Sequence, residues 1–154
     1  MSMYTILLGK GLGDFWFGST EEEALEYFGM PDDIDEFEYE GGEWTKVWKY
    51  DDQSISFSFD SEDNFRLSDI EISNPNCELF GYKLIDKTKQ EVLDILQKFD
   101  LGSWECGDMS EDIPDCENVS YDEKSLNLWF KNGELEYIQF GYLTTDEKKP
   151  QWPI

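Results

Sequence analysis

Ser54-Ile55-Ser56-Phe57-Ser58-Phe59 alternates polar and apolar residues without a break. A period of two puts Ile55, Phe57 and Phe59 on one face of a β-strand and the serines on the other, the pattern of a sheet with one buried side. The pattern returns at Ser125-Leu126-Asn127-Leu128-Trp129-Phe130, which predicts a second strand with Leu126, Leu128 and Phe130 on its core face. Each is followed by another strand-like run, Arg66-Leu67-Ser68-Asp69-Ile70 and Glu134-Leu135-Glu136-Tyr137-Ile138. Between the second pair stands Asn132-Gly133, the strongest short hairpin signal. Between the first pair, Asp60-Ser61-Glu62-Asp63-Asn64 has acids at alternate positions, but Phe65 falls where a calcium-binding loop of the EF-hand type needs glycine, so a hairpin turn is expected there.

Working outward, each strand pair is preceded by a helix signal. When Thr20 is laid on Thr88, Thr20-Glu21-Glu22-Glu23-Ala24-Leu25-Glu26-Tyr27-Phe28 matches Thr88-Lys89-Gln90-Glu91-Val92-Leu93-Asp94-Ile95-Leu96 in its Thr, Glu and Leu positions. Thr-x-x-Glu is a capping box, in which the hydroxyl accepts from an orphan N–H and the carboxylate reaches back. Ala24, Leu25, Phe28 and Val92, Leu93, Leu96 recur at helical spacing and predict one buried face per helix. Gly29 and Pro31 are expected to end the first helix, and Phe99 to Gly102 the second. Aromatic runs at Glu43 to Tyr50 and Glu117 to Tyr121 add a strand to each half, with lead-in strands at Tyr4 to Leu8 and Phe80 to Ile85. The expectation is an α+β fold in which two diverged helix-plus-antiparallel-sheet repeats, 1–76 and 77–154, form one compact domain.

A chain of 154 residues can bury about 70% of its unfolded surface unaided, and 11 Phe, 8 Tyr and 6 Trp supply a core. Asp and Glu number 36 against 12 Lys and Arg, a net charge of -24. Such a field repels nucleic acid and anionic membrane and attracts basic proteins. Met1 to Gly13 shows no basic start followed by a long apolar stretch, and no run approaches the length of a membrane helix. Cys77, Cys106 and Cys116 form an odd set without CxxC spacing, which suits reduced thiols, a Cys106–Cys116 disulfide being the alternative. A cytoplasmic protein is expected.

The chemistry of catalysis is sparse. Histidine is absent, which removes the commonest general base and Ser–His or Cys–His nucleophile pairs. Three scattered cysteines do not make a closed zinc site. Gly9-Lys10-Gly11-Leu12-Gly13 lacks the third glycine of a dinucleotide loop, where Asp14 stands, and is followed by the strand-like Phe15-Trp16-Phe17. Paired carboxylates arise by chance among so many acids. No catalytic residue, no metal ligand and no cofactor is expected, and the protein reads as a non-enzyme.

Acids concentrate after each helix signal, at Asp32, Asp33, Asp35, Glu36, Glu38, Glu40 and Glu43, and again at Glu105, Asp108, Glu111, Asp112, Asp115 and Glu117. These runs read as acidic loops able to steer a basic partner. Alternation places Trp44, Lys46, Trp48 and Tyr50 on one face, and Trp44, beside the acids, is the aromatic expected to reach a partner.

The tandem helix starts Gly18-Ser19-Thr20-Glu21-Glu22-Glu23-Ala24 and Asp86-Lys87-Thr88-Lys89-Gln90-Glu91-Val92 resemble the β-lactamase-inhibitor-protein-like architecture, over Phe15 to about Phe140. In size and charge the chain is similar to small acidic immunity proteins of bacterial toxin systems. The resemblance implies a protein that inhibits another by surface complementarity. An immunity protein that neutralises a basic, nuclease-type toxin in the cytoplasm is the expected function, with charge reversal at Asp32, Asp33, Asp35 and Glu36 expected to weaken binding. The alternative is a non-catalytic structural or assembly module that recognises another protein through a sheet face, with binding that is apolar and barely salt-sensitive. The sequence assigns no oligomeric state.

Overall fold

Residues 4–106, 118–144 and 150–152 are described by the structure, a computed structural model. In chain order they form β1 (Thr5–Leu7), β2 (Gly11–Leu12), β3 (Phe15–Trp16), α1 (Glu21–Phe28), β4 (Asp33–Glu38), β5 (Trp44–Tyr50), β6 (Ile55–Asp60), β7 (Arg66–Ile72), β8 (Glu78–Leu79) and α2 (Lys89–Leu96). The remainder is β9 (Glu105–Cys106), β10 (Asn118–Tyr121), β11 (Leu126–Lys131), β12 (Glu134–Gly141), β13 (Leu143–Thr144) and β14 (Pro150–Gln151).

Alternation decides the centre. Ile55, Phe57 and Phe59 of β6 and Leu126, Leu128 and Phe130 of β11 are all buried, each at 4% exposure or less. Both strands belong to one eight-stranded sheet, ordered β4-β5-β6-β7-β12-β11-β10-β9 with antiparallel neighbours throughout. The halves of the chain meet where β7 pairs with β12, Ile72 opposite Ile138 and Ile70 opposite Phe140. Asn132 and Gly133 join β11 to β12 with φ of 54° and 82°, the left-handed pair that a two-residue hairpin requires. The Ser61–Asp63 stretch between β6 and β7 is a 3₁₀ turn closed by Asn64 in the left-handed region, as expected of a hairpin connection.

The expected α+β architecture of two helix-plus-sheet repeats is corrected: the protein is mostly β. Among the described residues the α-helices are two, of 8 residues each. At 1.5 Å rise per residue each is about 12 Å long, whereas eight strands side by side span about 34 Å, so the helices cannot form a layer over the sheet. A second small sheet, β3-β2-β1-β8, with β1 and β8 parallel, shares the covering task. Two stretches read as loop or helix account for the difference. Asp33–Glu38 is a strand, and α2 ends at Leu96, capped by Gln97 in the right-handed region, short of the expected Phe99 to Gly102. The lead-in strand expected at Phe80 to Ile85 is absent because Phe80 and Gly81 both take positive φ, 55° and 86°; the strand lies just before, at β8.

What corresponds between the halves is the junction into the central strands. Asp51–Gln53 and Asp122–Lys124 are 3₁₀ turns, each entered from a tyrosine and closed by a left-handed serine, Ser54 and Ser125. The β6–β7 and β11–β12 ladders each carry a register shift at matching places, Ser58/Phe59 and Trp129/Phe130.

Both helix starts are capping boxes. Thr20 accepts from the Glu23 N–H at 3.2 Å and the Glu23 carboxylate accepts from the Thr20 N–H at 3.1 Å; Thr88 and Glu91 repeat this at 3.2 Å and 3.2 Å. Thr20→Ala and Thr88→Ala should each lower unfolding free energy by about 1 kcal/mol, with Ser at either position restoring most of it; chemical denaturation midpoints check this. The buried faces, Ala24 on α1 with Val92 and Leu96 on α2, lie in the core with Phe15, Phe17 and the sheet. Ring contacts tie these layers together, Phe15 to Phe57 at 5.0 Å, Phe28 to Phe57 at 4.9 Å and Phe17 to Phe140 at 5.6 Å.

Candidate functional site

β4 carries the sequence Asp33-Ile34-Asp35-Glu36-Phe37-Glu38 and is the edge of the large sheet, paired only with β5 among the described residues. The acids expected in a loop are therefore ordered on an edge strand. Asp33, Glu36 and Glu38 are exposed, as are Asp32, Glu40 and Glu43 that flank the strand, and Asp35 is half-buried. Side chains that usually hide are exposed among them: Ile34, Phe37 and Tyr39 at 41%, 48% and 52%. An acidic strand with apolar side chains open on both faces is an unusual composition for a solvated edge.

The acids differ in what they do for the fold. The Asp32 carboxylate accepts from the Asp51 N–H at 2.7 Å, tying the strand entry to the following turn. Asp35 forms an ion pair with Lys49 on β5, which holds the Lys49 ammonium above its ordinary value. The Asp33 carboxylate accepts from the Ile34 N–H at 3.0 Å. Among the described residues no hydrogen bond or ion pair ties down the carboxylates of Glu36, Glu38 and Glu40. Charge-reversal variants should accordingly spare Asp32 and Asp35, contrary to the selection made from sequence.

Of the aromatic face expected on β5, Trp48 and Tyr50 are core residues, and the Tyr50 hydroxyl donates to the Gly29 carbonyl at 2.9 Å. Trp44 is on the surface, 38% exposed. With Tyr39, Glu43, Thr45, Asp60 and Glu62 it lines a pocket of about 290 Å³. Glu62 is hydrogen-bonded to Glu43 there, and that bond with the neighbouring charge raises the Glu62 carboxyl above its ordinary range. Asp60 is engaged at its base, accepting from the Thr45 hydroxyl at 2.6 Å and the Ser68 hydroxyl at 2.9 Å. Asp108, Glu111, Asp112 and Asp115, the second expected acidic cluster, lie outside the described residues, as does Cys116. Cys106 is disulfide-bonded and Cys77 is buried and free, which corrects the expectation of three reduced thiols.

The sheet face opposite the core is polar. Ser56, Ser58, Asp69, Glu71, Asn127 and Gln139 occupy it by register. The Gln139 amide donates to Asp69 at 2.9 Å and accepts from the Trp129 indole at 3.1 Å. Burial pushes the Asp69 carboxyl up to about 7, against the pull of that Gln139 hydrogen bond. The folded protein thus keeps a proton that the unfolded chain releases nearer pH 4, so this group's contribution to stability is present in acid and lost as pH rises from about 4 through about 7. Asp69→Asn, which keeps the hydrogen bond and removes the charge, should stabilise the protein by roughly 1 to 3 kcal/mol at pH 8 and by little at pH 5; thermal melts at the two pH values check this.

Among the described residues no group of three or more Cys, Asp or Glu side chains is arranged to hold a metal ion, and no helix is long and apolar enough to cross a membrane.

No protein-family model matches the chain. No curated protein matches it either. Among solved structures, one described as the 1.5 Å resolution crystal structure of an extracellular protein containing an SCP domain, from Bacillus anthracis str. Ames, superposes with a TM-score of 0.49 at 15% identity. The superposition covers 81% of this chain and 43% of that one, less than half its length. A likeness of that size carries no argument about function.

Proposed function

We propose that this protein is a non-catalytic immunity or inhibitor protein that binds a basic partner, a nuclease-type toxin domain, through the acidic β4 edge. The observation that supports this reading is the composition of that edge, with Asp33, Glu36 and Glu38 exposed beside Ile34, Phe37, Tyr39 and Trp44. Charge selects and steers a basic surface, while exposed aromatics supply the contact area on which binding energy concentrates. The pocket between Tyr39 and Trp44 suits a Lys or Arg side chain, whose cation would meet ring faces and the Glu43 and Glu62 carboxylates together. An acidic shield also competes directly with the nucleic acid that a basic nuclease must bind.

Recognition through the sheet face is the weaker reading, because the face away from the core is dominated by serines, acids and amides, its aromatic pair Trp129 and Tyr137 stacked on each other and only partly exposed. Capture from a host lysate at about 50 mM and about 500 mM salt separates the two. A basic protein retained only at low salt supports the acidic edge; a partner retained equally at both salts sinks it.

The proposal places the protein in the cytoplasm. The disulfide at Cys106 favours an oxidising compartment, and a free-thiol count on protein isolated from its host decides between them: three free thiols fit the cytoplasm, fewer contradict it.

A further inference from the structure

The hydrogen-bond ladder of β4 has a definite polarity. Just past its end the Tyr39 N–H donates to the Glu43 carbonyl at 2.7 Å, in the same register as the β4–β5 pairs, which run from Asp33 opposite Lys49 to Glu38 opposite Trp44. In an antiparallel pair the backbone groups alternate between facing the partner and facing away. Phe37, Asp35 and Asp33 therefore turn their N–H and C=O groups to β5, and Ile34, Glu36 and Glu38 turn theirs outward. The Trp44 N–H, which by the same alternation faces away from β4, donates to Ser61 on the far side of β5 at 2.9 Å, and among the described residues the outward Ile34 N–H is met by the adjacent Asp33 carboxylate alone.

From this polarity, and resting on the reading of the edge as the binding surface for a basic partner, we propose that the partner binds by adding an extended, lysine- or arginine-rich segment as a ninth strand along the outer edge of β4. Outward N–H and C=O groups at Glu36 and Glu38 supply main-chain pairing, and alternate cations on the incoming segment lie beside Glu36 and Glu38, which share one face of β4. The charge pattern rejects the other obvious occupant: a second copy of β4 would place acids directly against acids, which destabilises cross-strand pairs. The acids thus keep the edge from pairing with itself and leave it open to a basic strand.

The test uses a synthetic decapeptide alternating Lys and Thr, and the same peptide N-methylated at every second residue so that one edge cannot pair. Fluorescence titration at about 50 mM salt is run against wild type, Glu36→Gln and Glu36→Pro, with amide exchange read on the complex. Proline at position 36 removes only an outward N–H, which edge strands tolerate. Strand addition predicts that Glu36→Pro binds about tenfold more weakly than Glu36→Gln, as loss of one main-chain hydrogen bond implies. It also predicts that the N-methylated peptide binds at least as poorly, and that the Glu36 and Glu38 amides become protected. Equal binding of both peptides, with those amides unprotected, overturns strand addition while the acidic-edge reading stands. If Glu36→Pro fails to fold, the N-methylated peptide decides alone. Absence of binding by either peptide, unchanged when the β4 acids are reversed, overturns the acidic-edge reading and strand addition with it.

Discussion

Replacing Asp33, Glu36 and Glu38 together by lysine is expected to weaken binding of a basic partner by about 100-fold while leaving the protein folded. These three are exposed and sit on one short edge strand, whereas Asp32 and Asp35 are engaged with Asp51 and Lys49 and would confound the result. The change lowers net charge only from -24 to -18, so the general field survives and the loss reports the edge itself. Most of it should fall on the association rate, because exposed charges steer encounter more than they hold the complex. Surface plasmon resonance at low salt measures this directly, and an unchanged affinity would remove β4 from the binding surface.

The largest expected effect on stability is at Phe57. It is fully buried, with ring neighbours Phe15, Phe28 and Tyr50 at 5.0, 4.9 and 5.7 Å, drawn from the small sheet, α1 and β5. Truncation to alanine leaves a cavity at the junction of three elements and should cost about 3 to 5 kcal/mol, a large share of the 5 to 15 that hold a typical domain. Phe37→Ala is the informative contrast. Half exposed on β4, Phe37 should change stability by less than about 0.5 kcal/mol and yet weaken partner binding, the signature of an aromatic kept for contact rather than packing. Urea unfolding of the two variants, beside one binding titration, tests both statements.

Period-two alternation made β6 and β11 readable, because each has one face in the core and the other out of it. The capping boxes and Asn132-Gly133 were equally legible, since each demands particular residues at fixed places. β4 was not legible, and for a physical reason: its apolar residues, Ile34 and Phe37, lie on opposite faces and both are exposed, so burial imposes no period on Asp33 to Glu38. Reading those acids as a loop left an edge strand out of the large sheet, and α2 ends at Leu96, short of the expected Phe99 to Gly102, whereas α1 ends at Gly29 as expected. A stronger repeat signal lay elsewhere. Tyr50-Asp51-Asp52-Gln53-Ser54-Ile55 and Tyr121-Asp122-Glu123-Lys124-Ser125-Leu126 share the strand, 3₁₀ turn and left-handed serine that open both central hairpins. The parallel pairing of β1 with β8 joins segments far apart in the chain and leaves no local trace. As for the candidate site, the composition of Asp32 to Trp44 was visible in sequence, but which acids are free and which are tied to Lys49 or Asp51 required the register.

The most direct test of the acidic edge is the association rate constant of the captured partner, measured for wild type at about 50 mM and about 500 mM salt and for the Asp33, Glu36 and Glu38 lysine variant at the lower salt. An acidic edge that steers a basic partner predicts a fall of at least tenfold with salt in wild type and a comparable fall on charge reversal. A rate indifferent to both would contradict it and place the contact elsewhere on the molecule.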